Sequence, residues 1–199
     1  MNERTKKYNR KIAVTAALSA LTIVLAITHL GYIPWFSGVS ITVLHVPVVL
    51  AAVLMGLVPG VTTGLVFGLT SLIMAATMPT GPLDPLFVNP LISVLPRILF
   101  AISVWVVYKA IGMLTKKFPS FTIIVVAGIA AFLGTLLHSV FVLGALVIAK
   151  PRTWELMWGV IIANSFLEAG AATIITVAVV SFVMITNKKK KSKLSQEEE

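Results

Sequence analysis

Apolar residues run through the chain in six blocks, separated by stretches that are charged or rich in proline and glycine. The blocks cover Ile12–Thr28, Ile41–Gly56, Gly60–Thr77, Leu91–Met113, Thr122–Ala149 and Glu155–Thr186. A helix that crosses a bilayer needs about 20 mostly apolar residues. The pattern therefore predicts an all-α membrane protein with a bundle of six transmembrane helices over residues 12–186. The second block is short, with a helical length of about 24 Å. It must tilt, be shielded by its neighbours or sit where the bilayer thins. Only Leu57-Val58-Pro59 separates blocks two and three, which predicts a tight helical hairpin. The bundle is preceded by a basic segment, residues 1–11, and followed by a charged tail, residues 187–199, expected to be disordered.

Two segments break the helical pattern. Met78–Arg97 carries Pro79, Pro82, Pro85, Pro90 and Pro96. Proline lacks a backbone donor and clashes inside helices, so the first part of this stretch must be an ordered, irregular loop. Near a membrane such backbone is tolerated only where protein or a watery cavity surrounds it. The other segment, Thr28–Ser40, is an apolar and aromatic loop. Two such loops on one face suggest the cover of a binding pocket.

Composition supports the membrane reading. Charged residues make up 12% of the chain and mean hydropathy is +1.00, whereas a soluble domain carries about 25% charged residues. The net charge of +9 comes largely from two flanking clusters, Arg4–Lys11 and Lys188–Lys193. Such clusters set topology and attract anionic lipid headgroups. Nucleic acid would need a folded basic face with stacking aromatics, and no such pattern occurs. Thirteen basic residues fall on the side holding both termini and two, Lys150 and Arg152, on the other. By the positive-inside rule both termini are cytoplasmic. The first block could be mistaken for a secretory signal, but the charge balance works only if it is retained. Tyr32, Trp35, Trp154 and Trp158 fall at the outer boundary, with Tyr8, Tyr108, Phe118 and Phe121 at the inner one, the depth amphipathic rings favour.

Ionisable residues within the blocks are few: His45, Arg97, Lys109, His138 and Glu168. A charge at mid-bilayer costs about 2.5–3.5 kcal/mol even on a lenient scale, so each needs a partner or a function. Lys109 lies near an inner end and can snorkel. His45, Arg97, His138, Asn164 and Glu168 can all occupy the outer half of the membrane, and Asn164 and Glu168 share one helical face. Arg97 is the sharpest signal, because a guanidinium stays charged and grips carboxylate or phosphate through a two-pronged fork. It is expected to anchor an anionic solute; otherwise it pairs with Glu168 or caps carbonyls of the proline-rich segment. Glu168 and Asn164 bind solute donors or bond between helices. The two histidines line the pocket or pack internally. Asn89 and Asp84 line the pocket or hold the loop shut. Ala13, Ala16, Ala17 and Ala20 form a small-residue stripe, a docking face for another protein or a packing face within the bundle.

The sequence contains no phosphate-binding loop, His-Glu-x-x-His metal site or nucleophile elbow. The expectation is that the chain is not an enzyme, needs no cofactor or metal and cannot energise transport itself. A chain with this pattern binds solute as a subunit energised by other proteins, or is an autonomous, proton-coupled secondary transporter acting through Glu168. An intramembrane enzyme using His45, His138 and Glu168 lacks a catalytic motif.

Several stretches resemble the substrate-binding S components of energy-coupling factor (ECF) vitamin transporters. They are the basic N-terminus leading into Ala13-x-x-x-Ala17, the short block from Ile41 to Leu50, Met55–Leu72, and Asn89-Pro-Leu-Ile-Ser-Val-Leu-Pro-Arg97. The likeness covers essentially the whole chain. His45-x-Pro47 and the Pro96-Arg97 pair look most like the pantothenate-specific members. The resemblance implies an S-component-like bundle that binds a small vitamin, an anionic one to judge from Arg97, at the outer face under its loops. It implies a transmembrane ECF scaffold protein and two ECF ATPases as partners, with the subunit toppling in the membrane lipid to release its load inside. Ala13 and Ala17, and with them Ala16 and Ala20, would meet the scaffold. Arg97, His45, Asn89, His138, Asn164 and Glu168 would line the substrate site. Other ligands of the family, such as hydroxymethylpyrimidine, riboflavin or folate, stay open as alternatives.

Overall fold

The structure is a computed structural model that describes residues 2–33, 41–79, 84–114, 120–150, 154–155, 159 and 164–197. Lys116, Lys117, Phe118, Trp35, Arg152, Trp158 and most of the first two turns predicted for the sixth block lie outside the described residues.

Helix α1 covers Glu3–Ile27. The Asn2 side chain caps its start by accepting from the Arg4 N–H at 3.2 Å, so the basic segment is the first turns of the helix rather than a separate arm. The chain leaves α1 through His29, whose φ of 58° is left-handed. It then forms a small antiparallel ribbon of β1 (Tyr32–Ile33) and β2 (Ile41–Thr42), with Tyr32 opposite Thr42. This ribbon is a minor departure from an all-helical chain.

The second apolar block is helical only over Val46–Met55, α2. Pro47 sits in its first turn, where a missing N–H costs nothing. Gly56 ends it at φ 105°, a conformation that L side chains rarely adopt. At about 15 Å, α2 by itself covers only about half the depth of a bilayer core, and residues 41–45 supply the rest of the second block as strand and turn. It is buried from Val46 through Val53 and forms the centre of the protein. Leu57-Val58-Pro59 is not a connector but the first turn of α3 (Leu57–Thr77), so the predicted hairpin turns on Gly56 alone.

Beyond α3 come a 3-10 turn at Asp84–Val88, the short α4 (Pro90–Ser93) and α5 (Leu95–Leu114). The predicted fourth block is therefore broken near Val94. Pro96 cannot donate to the Ile92 carbonyl four residues back, which interrupts the helical ladder. Helices α6 (Ser120–Ala149) and α7 (Phe166–Glu197) complete the chain. The expected disorder after Asn187 is corrected here: α7 continues to Glu197. Lysine, glutamine and glutamate are good helix formers, and no glycine or proline interrupts them.

Among the described residues five helical segments are long and apolar enough to cross a membrane: Glu3–Ile27, Leu57–Thr77, Pro90–Leu114, Thr122–Ala149 and Phe166–Asn187. Around α2 they pack α1 on α3, α3 on α5, α5 on α6 and α6 on α7. Val48, Val49, Phe67, Phe100, Val104, Ala127, Ala131 and Val180 form the main core. The outer surfaces carry Ile73, Ile148, Ile174 and Phe182 in exposed positions, as expected where lipid is the solvent. The approach of α3 to α4 and α5 depends on glycine. A Cβ at Gly64 would lie 2.7 Å from the Arg97 carbonyl oxygen, and one at Gly68 would lie 2.7 Å from Val94 Cα.

Candidate functional site

Pro96 and Arg97 form a pair in which one residue makes good what the other lacks. The Ile92 carbonyl, deprived of its helical donor, accepts from the Arg97 guanidinium Nη1 at 2.7 Å. Carbonyl capping, one of the two structural roles open to Arg97 from its sequence context, is thus present. The other is not: Arg97 and Glu168 form no ion pair among the described residues.

The guanidinium is nevertheless not used up. It is buried, at 6% exposure. Nη2 donates to the Ser71 hydroxyl at a long 3.4 Å, and Nε has no partner among the described residues. Each terminal nitrogen also carries a second N–H. The guanidinium carbon lies 5.4 Å from the Phe67 ring centre and 5.1 Å from that of Phe87. Aromatic faces at this range attract a cation and shield it from lipid.

His45 and His138 meet beside it. Their rings stack at 5.8 Å with 20° between planes. His138 also contacts Phe100 at 4.8 Å and Phe67 at 5.8 Å, so Phe67 touches both the histidine pair and Arg97. Both histidines are buried, and none of their four ring nitrogens has a hydrogen-bond partner among the described residues. An unpartnered buried polar group costs about 1–3 kcal/mol. Several of them side by side, next to a guanidinium with unused N–H groups, make a surface that gains by meeting a polar solute. Charge-assisted N–H donors suit a carboxylate; imidazole nitrogens suit hydroxyl or amide groups.

The remaining predicted residues sit differently. Glu168, in the first turn of α7 and 8% exposed, accepts from the Thr42 backbone N–H at 2.7 Å. Asn164 is buried one turn earlier, in a wide π-type turn. Asn89 is exposed, and its side chain is engaged in capping α4 through the Leu91 N–H at 3.0 Å. Its neighbour Pro90 explains the choice, since a helix starting at proline leaves the next N–H for a side-chain cap. Asp84 opens the 3-10 turn. Among the described residues no group of His, Cys, Asp or Glu is placed to hold a metal ion.

Sequence reasoning missed Ser71, Phe67, Phe87, Phe100 and the place of Tyr32 against the core near Arg97. Two signals were available: Phe67 and Ser71 are one turn apart on α3, and Phe100 follows Arg97 by three residues on α5, each pair sharing a face. Tyr32, set down as an interfacial ring, is partly buried near Arg97 and Asp84. Burial raises its phenol above the ordinary value, Asp84 adds to the rise and Arg97 opposes it.

Two other surfaces lie apart from this cluster. A groove of about 470 Å³ runs between α6 and α7, lined by Ile124, Gly128, Phe132, Thr173 and Val177 among others. It shares no residue with the polar cluster and offers a carboxylate nothing. On α1, Ala13, Ala16, Ala17 and Ala20 are all exposed, while the helix buries Thr22 and Ala26. The alanine stripe therefore faces away from the bundle and does not pack within it.

Two comparisons with known proteins bear on this arrangement. The family model described as ECF transporter, substrate-specific component, matches residues 10–180. The pantothenic acid transporter PanT of Lactococcus lactis subsp. cremoris (strain MG1363) is 31% identical over 188 residues, covering 85% of this chain and 91% of that protein.

Proposed function

The chain belongs to the substrate-specific components of ECF transporters, and from that premise we propose that it captures pantothenate at the outer face of the cell membrane. It delivers the vitamin inward together with a transmembrane scaffold protein and two ATPases. It is a multi-pass membrane transporter component, not an enzyme. The pantothenate reading is supported by the likeness to a pantothenic acid transporter. One observation carries it: the buried Arg97, with N–H groups to spare, stands beside the unpartnered His45 and His138. Pantothenate brings a carboxylate for the first and hydroxyl and amide groups for the others. Among the described residues the aromatic rings at the cluster are those of Phe67, Phe87 and Phe100, less stacking surface than a flavin or pterin would call for.

In this reading the six apolar blocks form the membrane body, with α2 shielded by its neighbours, and both termini are cytoplasmic. The imbalance of thirteen basic residues against two favours that orientation. His45 is at the entry of α2 and Arg97 near the start of α5, both on the outer side. The exposed alanine stripe of α1 is the docking face for the scaffold, since small side chains let another helix approach closely.

The test is reconstitution in liposomes. Pantothenate uptake should require ATP, the scaffold and both ATPases, with the chain alone binding but not accumulating the vitamin. Uptake by the chain alone, driven by a proton gradient, would overturn the assignment.

A further inference from the structure

Glu168 and Thr42 are 126 residues apart in the chain, yet the Glu168 carboxylate and the Thr42 N–H form one of the shorter hydrogen bonds in the protein, at 2.7 Å. The geometry of the ribbon explains why that N–H is on offer. In an antiparallel pair successive N–H groups along a strand point alternately toward and away from the partner. The Val43 N–H points inward, donating to the Gly31 carbonyl at 3.0 Å. The Thr42 N–H therefore points outward from the edge of β2, and Glu168 meets it there. A buried backbone donor left unpaired would cost about 1–3 kcal/mol, so the carboxylate fixes the ribbon to α7.

Two residues of the candidate site depend on where that ribbon lies. Tyr32 is directly opposite Thr42 in the register, so their side chains share one face of the ribbon. Its phenol is within electrostatic reach of Arg97 and Asp84. On the other side of Thr42 the chain runs through a tight turn, with the Val46 N–H donating to the Val43 carbonyl at 3.1 Å. That turn leads directly to His45 at the start of α2. Glu168 itself touches neither Arg97 nor the histidine pair through any hydrogen bond or ion pair among the described residues.

We propose that Glu168 is a positioning residue for the substrate site: its carboxylate anchors β2 to α7 and so keeps Tyr32 within reach of Arg97 and His45 stacked on His138, without contacting the solute. The proposal rests on the pantothenate-site reading above for what is positioned, but the anchor itself is a property of the ligand-free protein. A glutamine keeps an acceptor oxygen at this place and a leucine does not.

The test uses full-length Glu168→Gln and Glu168→Leu proteins in lipid nanodiscs, with two readouts. Backbone hydrogen exchange over residues 41–45, without ligand, should match the parent in Glu168→Gln and accelerate about tenfold or more in Glu168→Leu. Pantothenate affinity by calorimetry should stay within about threefold in Glu168→Gln and fall about tenfold or more in Glu168→Leu. Adding Tyr32→Phe to Glu168→Leu should cost less than it does in the parent, because the two changes disable one device. If Glu168→Leu does not fold, Thr42→Pro removes the backbone donor together with the Thr42 hydroxyl and should reproduce the loss of affinity. Unchanged exchange in Glu168→Leu, or normal binding by Thr42→Pro, would refute the anchor. Equal loss of affinity in Glu168→Gln and Glu168→Leu with exchange still slow in the former would refute positioning and make Glu168 a direct contact. Failure of the parent to bind pantothenate would sink the ligand assignment while the exchange readout still decided the anchor.

Discussion

Replacing Arg97 by alanine removes two things that can be measured separately. The first is the cap on the Ile92 carbonyl, a 2.7 Å bond within the fold. Leaving that buried carbonyl unpaired costs about 1–3 kcal/mol of stability, and the thermal midpoint of the ligand-free protein should fall accordingly. The second is the set of guanidinium N–H groups without a partner among the described residues, which on the proposed function meet the solute. Hydrogen bonds from a charged group contribute about 1.5–3 kcal/mol each. A carboxylate that loses its guanidinium should therefore bind at least about 2 kcal/mol more weakly, roughly 30-fold in dissociation constant. Calorimetry with two ligands separates the effects. Pantothenate should lose about 30-fold on Arg97→Ala, whereas the corresponding alcohol, which lacks the carboxylate, should bind the parent weakly and the variant no worse. The reasoning fails if pantothenate affinity is unchanged, or if acid and alcohol lose equally, because Arg97 would then serve only the fold.

Three further outcomes are expected. Ala13→Trp or Ala17→Trp should abolish co-purification with the scaffold and leave pantothenate binding intact, since both positions are exposed; normal recovery of the complex would remove the docking role. Gly64→Ala places a Cβ against the Arg97 backbone at 2.7 Å and should destabilise by about 1–3 kcal/mol. Gly112→Ala, whose Cβ meets nothing within 4 Å, should leave the thermal midpoint level or higher, and equal midpoints for the two variants would show that α3 can move away freely. The chain has no cysteine, so single substitutions report topology directly. An impermeant thiol reagent on intact cells should label Lys150→Cys and not Lys193→Cys, and the reverse pattern would invert the assigned orientation.

Length and hydropathy are one-dimensional properties, and much of both was legible. Counting residues from block ends put His45, Arg97, His138, Asn164 and Glu168 in the outer half of the membrane; the structure gathers the first three around Phe67 and Phe100 and ties Glu168 to Thr42 instead. Rotation of a helix about its own axis is a three-dimensional property, and there the sequence is nearly silent. Nothing in the spacing says that Phe67 lies between Arg97 and His138, or that the alanines of α1 turn outward. Local competition for hydrogen bonds was also hidden: Asn89 is engaged by Leu91 and Glu168 by Thr42, each through backbone N–H groups that composition cannot reveal. The extent of α2 was misjudged because hydropathy counts Ile41–Leu44 as apolar whether strand, turn or helix. The C-terminal helix was missed because charge alone suggested disorder, although the intrinsic preferences of Lys, Gln and Glu favour helix.

On the role proposed for Arg97, the proline beside it limits how this subunit can change its cargo. A descendant that took up a neutral vitamin would have no use for the positive charge, yet it could not simply discard the side chain, because the Ile92 oxygen would be stranded. Restoring an amide hydrogen at position 96 would have to accompany the loss. Specificity and backbone are thus locked into a two-step exchange at adjacent codons, in which either step taken first leaves the site or the helix worse off.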